Sequence, residues 1–192
     1  MNKSIAIKTG VTDFYLAKAE HNPETNKVTY GEPGVFAGTA SVSSAVQKNE
    51  NKVYESDELV HSRSRTSGVN ITLTTRTADP ASEMEVIYGQ TASGDEYIIG
   101  PDDMGGHYAV GWAKKRSDGS FICQWYLWAT GSKDDESDET ATDTENSATD
   151  SYTFAAASSP EPRADGKPQM KRVKHAKNAE EMRAFFASVM PA

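Results

Sequence analysis

The residues best suited to chemistry are few and scattered. His21, His61, His107 and His175 stand far apart, and none has a partner at the i, i+4 spacing that sets two imidazoles on one helix face as metal ligands. His107 and Cys123 could face each other across a hairpin, as a Cys–His nucleophile would require. The same pattern is met by a strand-edge histidine and a buried small hydrophobe, which is the reading taken. "GPDDMGG" (Gly100–Gly106) sets Asp102 and Asp103 in a glycine-rich loop suited to a cation, yet it lacks the alternating oxygen ligands and closing Glu of a calcium loop. No GxSxG elbow, phosphate loop or dinucleotide fingerprint occurs. A lone Cys123 excludes an internal disulfide and a cysteine zinc cluster, and fits a reducing compartment. The chain is therefore expected to hold no catalytic, metal or cofactor site and to be no enzyme.

Charge is the stronger signal. Net charge is −8, and the stretch "GSKDDESDETATDTENSATD" (131–150) carries eight acids and one Lys, so the rest of the chain is close to neutral. The segment Pro160–Ala192 runs the other way, with seven Lys/Arg against four Asp/Glu. Neither composition suits sequence-specific nucleic-acid binding, which needs a clustered basic surface. Apolar residues form 36% of the 192, enough for one domain with a modest core and length left for loops. "MNKSIAIKTGVTDF" has no apolar run of signal-peptide length, and no run approaches a membrane span. A soluble protein, intracellular when made, is expected.

The elements that would position these residues are mostly strands. "VTDFYLAKAE" (Val11–Glu20) reads as a first strand, with a polar Asn-Pro turn leading into "VTYGEP". "GVFAGTASVSSAVQ" (Gly34–Gln47) is a long strand with a thin side-chain layer. "KNENKVYESDELVHSRSR" (Lys48–Arg65) is charged, sparsely apolar and too long for a tight turn, so a functional or disordered loop is expected. In "VNITLTTRT" Val69, Ile71 and Leu73 alternate with polar residues, the period of a strand with one buried face. "DPASEMEVIYG" predicts a helix capped by Asp79, with Pro80 in its first turn and Gly89 ending it. His107–Thr130 reads as a hairpin turning at Asp118-Gly119, whose second strand is apolar on both faces and so either central or covered by a partner. "SYTFAAA" (Ser151–Ala157) follows as a last short strand, so the acidic run reads as a hairpin connection. A Pro/Gly linker over 160–177 then leads to "NAEEMRAFFASV", where Asn178 and Glu181 form a capping-box pattern. Met182, Phe185, Phe186 and Val189 make the apolar stripe of that helix, placed at 178–190.

The order of "DFYLAKAE", "VTYGEPGVFAGTASVSSAVQ", "NKVYESDELV", "SGVNITLTTRTADPASEMEVIYG", "HYAVGWAKKRSDGSFICQWYLWATGS" and "SYTFAA" resembles the major tail tube protein family of long, non-contractile-tailed bacteriophages. The resemblance covers about residues 10–158. It implies a mainly β fold: a β-sandwich or barrel-like tail-tube domain over 1–159 with one flanking α-helix, followed here by the linker and the C-terminal amphipathic helix. It also implies hexameric rings of this chain stacked around a tape-measure protein, with tail terminator and distal tail proteins as further partners. DNA would pass without specific binding, no membrane would be involved, and the product would reside in the virion tail after synthesis in the bacterial cytoplasm. No cofactor is implied.

Three groups of residues are expected to carry assembly. The charged loop, with Lys48, Asn51, Tyr54, Glu55, Asp57, Glu58, Arg63 and Arg65, would order against the next ring. Asp134, Asp135, Glu136, Asp138, Glu139, Asp143 and Glu145 would give the ring an acidic surface. Met182, Phe185, Phe186 and Val189 would bury against this domain or a neighbouring subunit. Another phage virion β-protein, in head decoration or tail completion, is the alternative. A carbohydrate-binding β-sandwich is a third reading, and it needs an exposed stacking platform from Trp112, Trp125 or Trp128.

Overall fold

The computed structural model describes residues 6–55, 58–90, 96–134 and 149–191, with backbone alone for 51–55, 58–63 and 77–78. The order is β1 (Lys8–Val11), β2 (Phe14–Asn22), β3 (Lys27–Tyr30), β4 (Gly34–Glu55), β5 (Glu58–Ala78), α1 (Pro80–Glu83), a π-helical turn (Met84–Tyr88), β6 (His107–Arg116), β7 (Phe121–Lys133), β8 (Asp150–Ala156), β9 (Lys171–Ala176) and α2 (Ala179–Phe186). The fold is mainly β, barrel-like and flanked by a helix, as the alternating segments predict.

All pairings are antiparallel, and they close on themselves. β2, β4, β5, β8, β7 and β6 are joined in that order, and β6 pairs back to β2, so six strands form a ring. Closure removes most sheet edges, and the period of two then sends alternate side chains inward. Phe14, Leu16, Ile71, Leu73, Val110, Trp112, Tyr126, Tyr152 and Phe154 fill the interior. Their rings pack closely: Phe14 lies 5.2 Å from Phe154 and Trp112 lies 5.7 Å from Tyr126, centroid to centroid.

The expected interior helix is present but short. Asp79 accepts the Ser82 N–H at 3.0 Å and Pro80 occupies the first turn, as a cap requires. After Glu83 the chain widens into the π turn, and Gly89, at φ 69°, ends it in the left-handed region. Val86 and Ile87 of this turn join the barrel core. A salt bridge anchors the unit: Lys133 Nζ lies 3.0 Å from Glu83 Oε1, and the Tyr152 hydroxyl donates to Glu83 Oε2 at 2.7 Å.

Two expectations change. Lys48–Arg65 is no loop: β4 and β5 remain paired from Lys48↔Thr66 to Glu55↔Glu58, forming one long ribbon. Strand periodicity is absent from this sequence, and Lys48–Glu50 and Ser64–Arg65 at the base of the ribbon are exposed, so no buried face imposes it there. The stretch 160–177, expected as a linker, contains β9, which pairs with β7 from Phe121↔Ala176 to Tyr126↔Lys171. Five Lys, Arg or His residues in "KRVKHAK" hide this strand from a hydrophobicity reading, since β9 is an outer strand exposed along most of its length.

Candidate functional site

The candidate site is a set of surfaces at the two ends of the barrel and along one edge. β4 pairs with β2 only through Gly34–Ala37. From Gly38 onward its outer edge has no strand partner among the described residues, while its inner edge stays paired with β5. Ser43 to Glu50 are exposed on both faces, as are Ser64 to Ser67 on β5, with Lys48 and Arg65 among them. An exposed strand edge of this length is a template for a further strand. Beyond Gln47 the arm adds eight residues per β4 strand, a reach of about 26 Å at 3.3 Å per residue. Of the residues expected to act here, Asn51, Tyr54, Glu55, Glu58 and Arg63 have described backbones on the arm; Asp57 lies outside the described residues.

The acidic end lies where β7 meets β8. The register Ala129↔Ala156 to Lys133↔Tyr152 makes the acidic run a hairpin connection, as expected. Asp134 continues the ladder through its N–H to the Ser151 carbonyl, and its carboxylate accepts the Ser151 hydroxyl at 2.8 Å and that of Thr153 at 3.2 Å. Asp135, Glu136, Asp138, Glu139, Asp143 and Glu145 lie outside the described residues. α1 and the Asp102–Asp103 turn border the same end, beside a cleft of about 400 Å³ lined by Ile87, Tyr88, Met104 and Lys133. Asp103 is committed to that turn: it accepts from the Gly100 N–H and the Gln90 amide, both at 2.8 Å. Among the described residues no cluster of three His, Cys, Asp or Glu side chains converges on a metal position.

Helix α2 docks on the outside of the barrel of its own chain. Asn178 Oδ1 accepts the Glu181 N–H at 2.9 Å, and the Glu181 carboxylate reaches back to the Lys177 N–H at 2.9 Å. Phe185, Phe186 and Val189 are buried with Ala17, Ala109, Cys123, Trp125 and Leu127, and Met182 packs at the rim. Phe186 stacks on Tyr15 at 4.4 Å, and the Trp125 indole N–H donates to the Phe185 carbonyl at 3.5 Å. Gly111 lets β6 pass beneath Trp125, since a Cβ there would sit 2.6 Å from the ring. Burial accounts for both faces of β7 being apolar: one fills the barrel and the other receives α2.

That arrangement places the residues singled out for chemistry. Cys123 is fully buried under α2, and burial pushes its thiol up to about 11. His107 stacks on Trp128 at 4.0 Å, several residues along β6 from Ala113, which is the partner of Cys123, so the two do not meet. Burial also holds the His107 imidazole below its ordinary range. Trp112 and Trp125 are buried and offer no sugar platform. A serine–histidine contact that spacing could not reveal joins His175 Nε2 to Ser120 Oγ at 3.0 Å. Its geometry is wrong for a nucleophile: the Ser120 hydroxyl donates to Asp118 at 2.6 Å, so the carboxylate holds the serine instead of orienting the imidazole.

The surface that sequence reasoning missed is a basic end. β9 brings Lys171 and His175 beside β7, while β1 brings Lys8 opposite Arg116 and β6 supplies Lys114. Burial, then the neighbouring charges of Lys171 and Lys8, hold the Lys114 ammonium below its usual range. Lys171 lies over the Tyr126 ring at 4.7 Å. Among the described residues, no carboxylate forms an ion pair with Lys8, Lys114 or Lys171, while Arg116 helps to hold the Asp118 carboxyl below its usual range, after that group's hydrogen bonds from Ser120. The signal was the basic bias after Pro160, but it could be placed only once β9 was known to be a strand.

Comparison with protein-family models gives no match, and comparison with curated proteins gives none either.

Proposed function

We propose that this chain is a structural subunit of a phage tail tube, forming hexameric rings that stack around a tape-measure protein and later conduct the genome. The observation that carries the reading is the paired β4–β5 arm leaving a closed barrel with the β4 edge open. A two-stranded ribbon whose base, Ser43–Glu50 and Ser64–Ser67, is exposed on both faces gains little there from its own domain, because isolated hairpins are marginal in water. Docked on another copy it buries both faces and extends that copy's sheet. The contact is heterologous, arm to a different surface, so copies can close into a ring or continue as a stack. The acidic balance also suits a conduit for DNA, since a wall that attracts phosphates would retard passage.

The order of sequence segments that resembles the tail tube family supports the same reading. The test is electron microscopy of the purified full-length protein during slow concentration. Hollow tubes of stacked rings are expected; monomers or isolated trimers under all conditions would overturn it.

A further inference from the structure

The charged surfaces lie at opposite ends of one strand. β7 runs from Phe121 to Lys133, and the acidic connection leaves after Lys133. Lys114 sits opposite Ile122 near the other end, with Arg116 and Lys8 beyond, and Lys171 joins them from opposite Tyr126 in the middle of β7. Val173, exposed between Lys171 and His175 on β9, gives this basic end an apolar centre.

We propose that this basic end is a docking surface for the acidic β7–β8 connection of a second copy of the chain, so that copies join end to end. The proposal rests on the stacking reading given above and names the surfaces that stack. Three observations select this occupant. Charge is complementary, since the connection holds most of the net negative charge while Lys8, Lys114 and Lys171 form no ion pair with a carboxylate among the described residues. A chain cannot satisfy its own Lys114 in this way, whereas Lys171, opposite Tyr126 and seven residues back from Lys133, lies about 23 Å away and within reach. The sixteen residues 134–149 leave β7 and return to β8, so the connection reaches about 27 Å at most, half its length at 3.4 Å per residue. Lys114 lies eleven residues back along β7, about 36 Å at 3.3 Å per residue. Finally, Lys114 is held below its usual range first by burial and then by Lys171 and Lys8, and an incoming carboxylate replaces the second of these, the like-charge repulsion, with pairing.

The test is sedimentation of the full chain and of two charge-reversed forms. One is K114E/K171E; the other carries Lys at Asp135, Glu136, Asp138 and Glu139. Each alone is expected to lose association at least about tenfold, and wild-type association should weaken similarly between about 50 and about 500 mM NaCl. An equimolar mixture of the two reversed forms is expected to restore association, because each then offers the charge the other lacks. Misfolding cannot produce that rescue. Unchanged association in either form, or a mixture that stays apart, overturns the proposal. So does a short DNA duplex that binds the monomer through Lys114 and Lys171 while leaving self-association unaffected. The two readings fail separately. Wild-type tubes indifferent to the reversals sink the docking surface alone, while rescued end-to-end dimers that never form rings sink the tube alone.

Discussion

Cys123 shows how far one position can be argued. Its thiol belongs to the buried cluster under α2 that includes Trp125, Phe185 and Phe186, and burial disfavours the thiolate. The folded pKa of about 11 exceeds the ordinary 9.0, so between those values the unfolded chain loses its proton first. Stability contributed by the buried neutral thiol is complete below pH 9.0 and declines as pH rises toward about 11. Labelling of the native protein with a thiol reagent at pH 8 should therefore be at least about 100-fold slower than in denaturant, and rapid native labelling would contradict the packing. Phe185 is the corresponding packing position. It is 2% exposed and meets Phe186 edge to face at 5.2 Å. Phe185→Ala should cost about 3–5 kcal/mol in urea unfolding followed by tryptophan fluorescence. A loss below about 1 kcal/mol would mean that α2 contributes little to the fold.

At the scale of elements, α2 and β9 act together. Arg172 of β9 donates to the Ser188 and Val189 carbonyls, and its guanidinium lies 4.4 Å from the Phe185 ring centroid, so the strand caps the helix that follows it. Truncation after Lys177 removes this cap and the cover over Trp125. The expected outcome is a red-shifted tryptophan emission and dye binding by the exposed face, with β-sheet circular dichroism retained because the barrel core lies on the other side of β7. An unshifted emission would place Trp125 under some other cover. Helix α2 was legible in the sequence because capping and the apolar stripe are local, although it ends at Phe186 and not at 190 as expected. β9 was not, because an edge strand with its outer face in water needs no alternation.

For the whole molecule, the direction of the chain in β7 makes the barrel polar, with a basic end and an acidic end, while the arm supplies a third surface. A subunit that loses one surface but keeps the others should join a growing assembly and stop it. Replacing residues 49–65 by Asn-Gly keeps the Lys48↔Thr66 pair and closes the ribbon early. The barrel should keep its melting temperature within about 2 °C, since none of its interior residues is touched. Alone, this form should make no tubes, and added at a few per cent it should shorten wild-type tubes seen by electron microscopy. Tubes of normal length in its presence would remove the arm from assembly.

The sequence by itself determined the mainly β class, the capped helix at Asp79, the apolar stripe of α2 and the acidic run as a connection. Each of these is written in neighbouring residues, as a period of two, a cap spacing or a block of one charge. Tertiary structure alone decided that six strands close, that Lys48–Arg65 is an arm and that Lys8, Lys114 and Arg116 share one end. Those facts depend on which strands pair across long separations, and an exposed ribbon or edge strand leaves no burial pattern from which the pairing could be read.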